Sequence, residues 1–125
     1  TPLYQYANQI PSAEDRMNLT LKMIAVLRLM MPEINMVAAT ANQTVDPMGR
    51  EKAIMAGANV IMPNMTPNEY REDYLIYPDK ACVSDKPEEC YSCLDIRMKA
   101  IGHQILYNAW GDSVAFTKKI SKLVN

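Results

Sequence analysis

The sequence predicts an α/β fold in which two short parallel strands alternate with helices. Residues 34–39 and 59–62 are short apolar runs that suit strands buried on both faces. Helix-start signals stand before, between and after them, at Ser12, Asp46 and Thr66. This alternation is typical of parallel strands, because the chain needs a helix-length return path between parallel neighbours.

The first helix is predicted from Ser12 to Met31. Ser12 and Asp15, three residues later, resemble a capping box, and Pro32 ends the run. Apolar residues recur at helical spacing, but they occupy the other faces of this helix as well. A helix that is apolar nearly all round expects neighbours on several sides. The two sets of apolar residues are Met17, Leu21, Ile24 and Leu27, and Leu19, Met23, Val26, Leu29 and Met30.

The second and third helices have recognisable start signals. Asp46 and Pro47 suit the N-cap and first position of a helix that ends at Gly57. Thr66 and Glu69 suit the start of a helix that ends before Pro78.

The last third of the chain shows no strand. We predict a helix from about Pro87 to Ile101 that ends at Gly102, and a last helix from Ser113 to Leu123. Residues 1–78 are therefore expected to carry the βα units, and residues 79–125 to form a helical extension.

Composition favours a soluble globular protein. The chain has 125 residues, of which 49% are hydrophobic and 22% charged, with a formal net charge of -1. This balance provides no global field for nucleic acid or an anionic membrane, so neither is expected as a partner. No apolar run is long enough to span a bilayer and residues 1–20 show no leader, so we expect a cytoplasmic protein.

Two strands do not form a stable sheet, since both flanks present unpaired backbone groups. We therefore expect either further strands on the amino-terminal side of Thr1, or a homodimer that pairs through the exposed sheet edges.

Three stretches resemble the end of radical SAM FeFe-hydrogenase maturases of the HydE type, relatives of biotin synthase and methylornithine synthase. They are residues 19–32 with 36–40, GRE at 49–51 with GANVIMPNMTP at 57–67, and residues 70–71, 74 and 77–78 with the run 82–93.

The resemblance implies the last βα units of a (β/α)8 TIM-type radical SAM barrel, plus a helical carboxy-terminal extension. The parent enzyme would use S-adenosylmethionine and a 4Fe-4S cluster held by a C-x3-C-x2-C loop. That motif does not occur in this sequence, so we do not expect the chain by itself to cleave S-adenosylmethionine, and we assign it no catalytic residue. The missing amino-terminal part of the barrel would be its first partner.

Two alternatives stay open. The chain would otherwise belong to a methylornithine-synthase- or biotin-synthase-like radical SAM enzyme, or form a stand-alone metal-binding or interaction module. Three cysteines at these positions favour the HydE type over the mutase.

The active site of such barrels lies at the carboxyl ends of the strands. The resemblance implies that Thr40, Met62, Asn64 and Tyr77 face the cavity for S-adenosylmethionine or substrate. Thr40 has a simpler explanation as the end of a strand and the cap of a helix. The sequence departs from the family at Ala39, where relatives often carry a second threonine.

Cys82, Cys90 and Cys93 are the sharpest local signal. Cys90 and Cys93 share one face of a predicted helix, and the preceding loop can fold Cys82 back to them. Three soft ligands suit an iron-sulfur cluster or zinc, and the alternative is buried or oxidised thiols. The resemblance implies an accessory, non-catalytic iron-sulfur cluster, 4Fe-4S or 2Fe-2S, on these cysteines.

Overall fold

The structure is a computed structural model that describes residues 9–74 and 87–124. These residues form helices around a small sheet, with two single 3-10 turns at Asn68–Tyr70 and Glu72–Tyr74. The regular elements are α1 (Ala13–Met30), β1 (Val37–Ala38), α2 (Thr40–Val45), α3 (Gly49–Met55), β2 (Val60–Ile61), α4 (Pro87–Ala100) and α5 (Val114–Val124).

The sheet of the described residues is a parallel pair, as the sequence predicted. Val37 lies opposite Val60 and Ala38 opposite Ile61. Both strands are shorter than predicted. A mixed α/β fold is confirmed, and the closed barrel stays an expectation.

Helix α1 begins where the sequence predicted. Ser12 is its N-cap, and the backbone N–H of Asp15 donates to Ser12 Oγ at 3.0 Å. Buried residues of α1, β1, α3 and the segments that lead into the two strands form one small core. Its members are Ile24, Met36, Ala38, Ala53 and Ala58.

Arg28 ties the end of α1 to the starts of both strands. Its guanidinium donates to the carbonyl oxygens of Gly57 at 2.8 Å, Pro32 at 2.7 Å and Ile34 at 2.9 Å. It also donates to Asn59 Oδ1 at 3.1 Å, which accepts from the backbone N–H of Met36 as well. The side chains of Arg28 and Asn59 therefore bind the backbone groups at the amino ends of both strands.

The segment after β1 differs from the prediction. Thr40–Val45 is the short helix α2, and its N-cap is Ala39 rather than Thr40. Helix α3 begins at Gly49, later than predicted, because Asp46 ends α2 and its Oδ1 accepts from the N–H of Met48 at 2.8 Å. A Cβ at position 49 would lie 2.0 Å from the Asn42 carbonyl oxygen, so the two helices meet backbone to backbone.

The predicted helix after Thr66 was wrong. Two 3-10 turns stand in its place, and the first has Pro67 as N-cap without a side-chain hydrogen bond. The Thr66 N–H donates to Asn64 Oδ1 at 3.2 Å, which commits this backbone to the preceding turn. The predicted end of that helix, before Pro78, lies outside the described residues.

Helices α4 and α5 agree with the sequence. Gly102 adopts a φ of 76° after α4, and the N–H of Phe116 donates to Ser113 Oγ at 3.2 Å at the start of α5. The side chain of Asn35 donates to the Gly111 carbonyl at 2.6 Å, which holds α5 near the amino end of β1. Within the described ranges, no helix has both the length and the apolar character that crossing a membrane requires.

Several apolar side chains of α1 point away from the core. Leu19 is 62% exposed, Met23 51% and Met30 73%. We define the exposed face of α1 as Leu19, Met23, Val26 and Met30. The neighbours that the sequence predicted for this face are not among the described residues.

Candidate functional site

The carboxyl ends of β1 and β2 lie at the same edge of the sheet, because the strands are parallel. Thr40 lies two residues after the end of β1 as the first residue of α2, and it is half-buried. Met62 and Asn64 follow β2; Met62 is 53% exposed and Asn64 half-buried. These three residues thus share one edge, while Tyr77 lies outside the described residues. Their contact with S-adenosylmethionine or substrate stays a prediction.

Asn64 contacts one of the predicted metal ligands. Its backbone N–H donates to Cys90 Sγ at 3.3 Å, across 26 positions of sequence. Cys90 is 1% exposed, so this sulfur is enclosed by protein and receives a polar contact there. The sequence placed the two residues in separate sites, and no spacing signal predicts their contact.

Arg71 holds the turn that carries Asn64. Its Nε donates to the Thr66 carbonyl at 2.7 Å, and its Nη2 donates to the Asn64 carbonyl at 3.2 Å. Arg71 is 3% exposed, which makes it a buried cation beside the thiol site. Sequence reasoning missed its role, since Arg71 was only one letter of a resembling stretch.

Cys90 and Cys93 lie on α4 as free thiols, the first buried and the second exposed. Cys82 lies outside the described residues. Within residues 9–74 and 87–124, no three potential ligands come together closely enough to hold a metal ion. Two thiols three residues apart on one helix are soft donors of the kind that hold iron-sulfur clusters, although here one is buried and the other is exposed. The described part of the chain would supply two of the three predicted ligands.

A buried ion pair anchors α4. Glu51 on α3 is 1% exposed, and its carboxylate accepts both Nε and Nη2 of Arg97 on α4, the latter at 2.8 Å. The same Nη2 also donates to the Pro47 carbonyl. This two-pronged contact sets α4 against the start of α3, and hence positions the cysteine helix.

A groove of about 440 Å³ lies between the start of α1 and the turn that joins α2 to α3. Asp46 and Lys52 form an ion pair at its wall. The hydrogen bonds from Lys52 and from the Met48 N–H hold the pKa of the Asp46 carboxyl below its ordinary value. No motif or spacing in the sequence predicts this groove. Its lining residues are Ala13, Glu14, Met17, Asn18, Leu21, Val45, Asp46, Pro47 and Lys52.

Comparison with known proteins decides the family. Residues 7–88, more than half of the chain, match the Biotin and Thiamin Synthesis associated domain. The chain belongs to this family. The region that matches the Biotin and Thiamin Synthesis associated domain contains both strands, Thr40, Met62 and Asn64, whereas Cys90 and Cys93 lie just beyond it.

One curated relative with a similar sequence is the [FeFe] hydrogenase maturase subunit HydE of Thermotoga maritima. It is 45% identical over 86 residues, which cover 69% of this chain and 25% of the relative. The chain therefore spans about a quarter of the length of the relative that it matches. This confirms the resemblance to HydE-type proteins that the sequence indicated.

Proposed function

We propose that this chain acts as the carboxy-terminal region of a radical SAM enzyme of the HydE type, which serves in the maturation of FeFe hydrogenase. The observation that carries the proposal is its 45% identity to the HydE relative over 86 residues. In this proposal the ligands of the catalytic 4Fe-4S cluster lie outside the chain, and S-adenosylmethionine would bind in the barrel cavity. The enzyme would work in the cytoplasm, where thiols stay reduced.

The chain would contribute part of the wall of a TIM-type barrel. Its two parallel strands with flanking helices are compatible with the last βα units of such a barrel, followed by a helical extension. Thr40, Met62, Asn64 and Tyr77 would then line the mouth. The exposed face of α1 and the sheet edges would be covered by the earlier βα units, or by a second copy of the chain.

Cys82, Cys90 and Cys93 would hold an accessory iron-sulfur cluster. Such a cluster supplies one-electron redox chemistry when it is bound. The residues themselves would bind it, since α4 presents two thiols and Asn64 donates an N–H to one of the sulfurs.

Anaerobic reconstitution of this chain with iron and sulfide tests the metal site. We expect charge-transfer absorbance in the visible range, and its loss in Cys90→Ser, because the cluster needs that thiolate. His103→Gln is the control, since His103 is exposed and follows the far end of α4. Colourless wild-type protein after reconstitution would reject the accessory cluster.

A chimera tests the enzymatic part of the proposal. The segment of Thermotoga maritima HydE that matches this chain is replaced by the corresponding 86 residues. We expect the chimera to form 5′-deoxyadenosine from S-adenosylmethionine under reducing conditions, and the relative without the segment to form none. A folded chimera that carries its catalytic cluster yet forms no product contradicts the proposal.

The family match supports one alternative function. The Biotin and Thiamin Synthesis associated domain favours a biotin-synthase-like radical SAM enzyme as the alternative parent. The three cysteines favour the HydE type. Assay of the same chimera for hydrogenase maturation separates the two, because only a HydE-type parent would restore it.

A further inference from the structure

The loop from Met62 to Thr66 belongs to no helix or strand, yet it supplies the donor to the Cys90 sulfur. A backbone without regular hydrogen bonds samples many conformations unless other groups hold it. An N–H···S contact is also a weak bond, so it cannot fix the loop by itself. Something else must hold the Asn64 N–H in place.

Arg71 has the geometry to do so, in addition to the Asn64 side chain that accepts the Thr66 N–H. Its guanidinium binds the carbonyls of Asn64 and Thr66, two residues apart, and it is 3% exposed. The carbonyl of Asn64 is fixed on one side of this residue while its N–H reaches Cys90 on the other. The planar fork of arginine can hold two acceptors at once, whereas a lysine ammonium acts as a single point.

We propose that Arg71 is a positioning residue that clamps the Asn64–Thr66 turn, so that the Asn64 N–H stays directed at the Cys90 sulfur. The clamp itself is a property of the chain as it stands. Its consequence for a cluster rests on the proposed function above.

The consequence concerns the reduction potential. A hydrogen bond to a ligand sulfur stabilises the more negative, reduced state of an iron-sulfur cluster, and such bonds are one determinant of its potential. Loss of the clamp should therefore move the potential of the accessory cluster to a more negative value, even though Arg71 is not a ligand.

Amide hydrogen exchange in the metal-free chain tests the clamp. We expect Arg71→Lys, which keeps the charge, to speed exchange at the Asn64 N–H roughly fivefold to tenfold, the worth of one hydrogen bond. Cys90→Ala removes the acceptor and should have a similar effect. The double variant Arg71→Lys/Cys90→Ala should exchange no faster than Cys90→Ala, because both changes act on one bond.

The exchange rate at Ala53, in the core, is the internal control. An equal rise at Ala53 and Asn64 would mean general destabilisation and would overturn the proposal. Unchanged exchange at Asn64 in Arg71→Lys would overturn it as well.

A redox titration of the reconstituted protein separates the clamp from the cluster. We expect a more negative potential for Arg71→Lys than for wild type. A chain that takes up no cluster, but whose Asn64 exchange responds to Arg71→Lys, would retain the clamp and reject the metal site. A cluster whose potential does not respond would reject the link between the two.

Discussion

The guanidinium of Arg50 is fully buried in α3, and none of its three nitrogen atoms finds a hydrogen-bond partner among residues 9–74 and 87–124. The hydroxyl of Thr44, near the end of α2, is likewise buried without a partner in the described part of the chain. A buried charged group without an acceptor destabilises the fold by more than a neutral polar group, which already costs about 1–3 kcal/mol. The isolated chain therefore carries an unfavourable feature next to its α2–α3 contact.

We predict that Arg50→Met raises the free energy of unfolding by about 1–3 kcal/mol, because the shorter, uncharged thioether needs no hydrogen bond. Urea denaturation followed by circular dichroism measures the change. Arg28→Met is the matched control, and it should lower stability because Arg28 donates four hydrogen bonds. A less stable Arg50→Met would show that Arg50 has an acceptor after all.

The contacts of single polar residues could not be predicted from the sequence. Asn64 and Cys90 were both selected from the sequence, but for different sites, because their contact depends on how α4 packs against the loop after β2. Arg71 could not be selected from residue type, since a surface arginine and a buried clamp look alike in sequence. Local signals predict caps, and tertiary contacts decide what the polar groups bind.

At the scale of elements, the start and stop signals that act locally were reliable. Ser12, Gly57, Gly102 and Ser113 behave as predicted, with φ values of 121° at Gly57 and 76° at Gly102. Predictions that depended on competition between polar groups were less accurate. Asp46 both ends α2 and accepts from Met48, and Asn64 takes the N–H of Thr66.

The ion pair between Glu51 and Arg97 joins α3 to α4, and it yields a second prediction. Glu51→Gln should lower the free energy of unfolding by about 1–3 kcal/mol, because it replaces the charged acceptor of a partly buried guanidinium by a neutral one. The double variant Glu51→Gln/Arg97→Met should be less destabilised than the two single effects added together. Thermal unfolding of the four proteins completes the cycle, and strict additivity would mean that the pair contributes no coupling. Lys99→Met, which removes the exposed pair with Asp95, is the control and should change stability little.

At the scale of the whole molecule, the exposed face of α1 departs from an ordinary soluble surface. Leu19, Met23, Val26 and Met30 follow one another at helical spacing and are each at least 49% exposed. Apolar area of this kind favours association, since its removal from water is favourable.

We predict that the isolated chain self-associates through this face at high protein concentration. Leu19→Glu/Met23→Lys/Met30→Glu should shift the sedimentation coefficient towards that of a monomer while the helical circular dichroism signal is kept. Trp110→Ser is the control, because Trp110 is 94% exposed and lies between α4 and α5. This variant should leave the sedimentation coefficient unchanged. A wild-type chain that sediments as a monomer at every concentration contradicts this prediction.

The fold class was predictable because hydrophobic periodicity and strand–helix order are properties of the sequence itself. The parallel pair followed from that order, and the described structure confirms it. The barrel was a different kind of expectation, since it came from resemblance. Its closure depends on strands that the described residues do not supply.

The close approach of α2 and α3 restricts which residues can be accepted at position 49. At Gly49 the obstacle is a backbone carbonyl, and the first side-chain carbon already meets it. In a saturation library, variants with alanine at position 49 should therefore be depleted as strongly as variants with tryptophan. At ordinary core positions, by contrast, depletion depends on the size of the side chain. Selection at position 49 would therefore act against every residue other than glycine, whatever the size of its side chain.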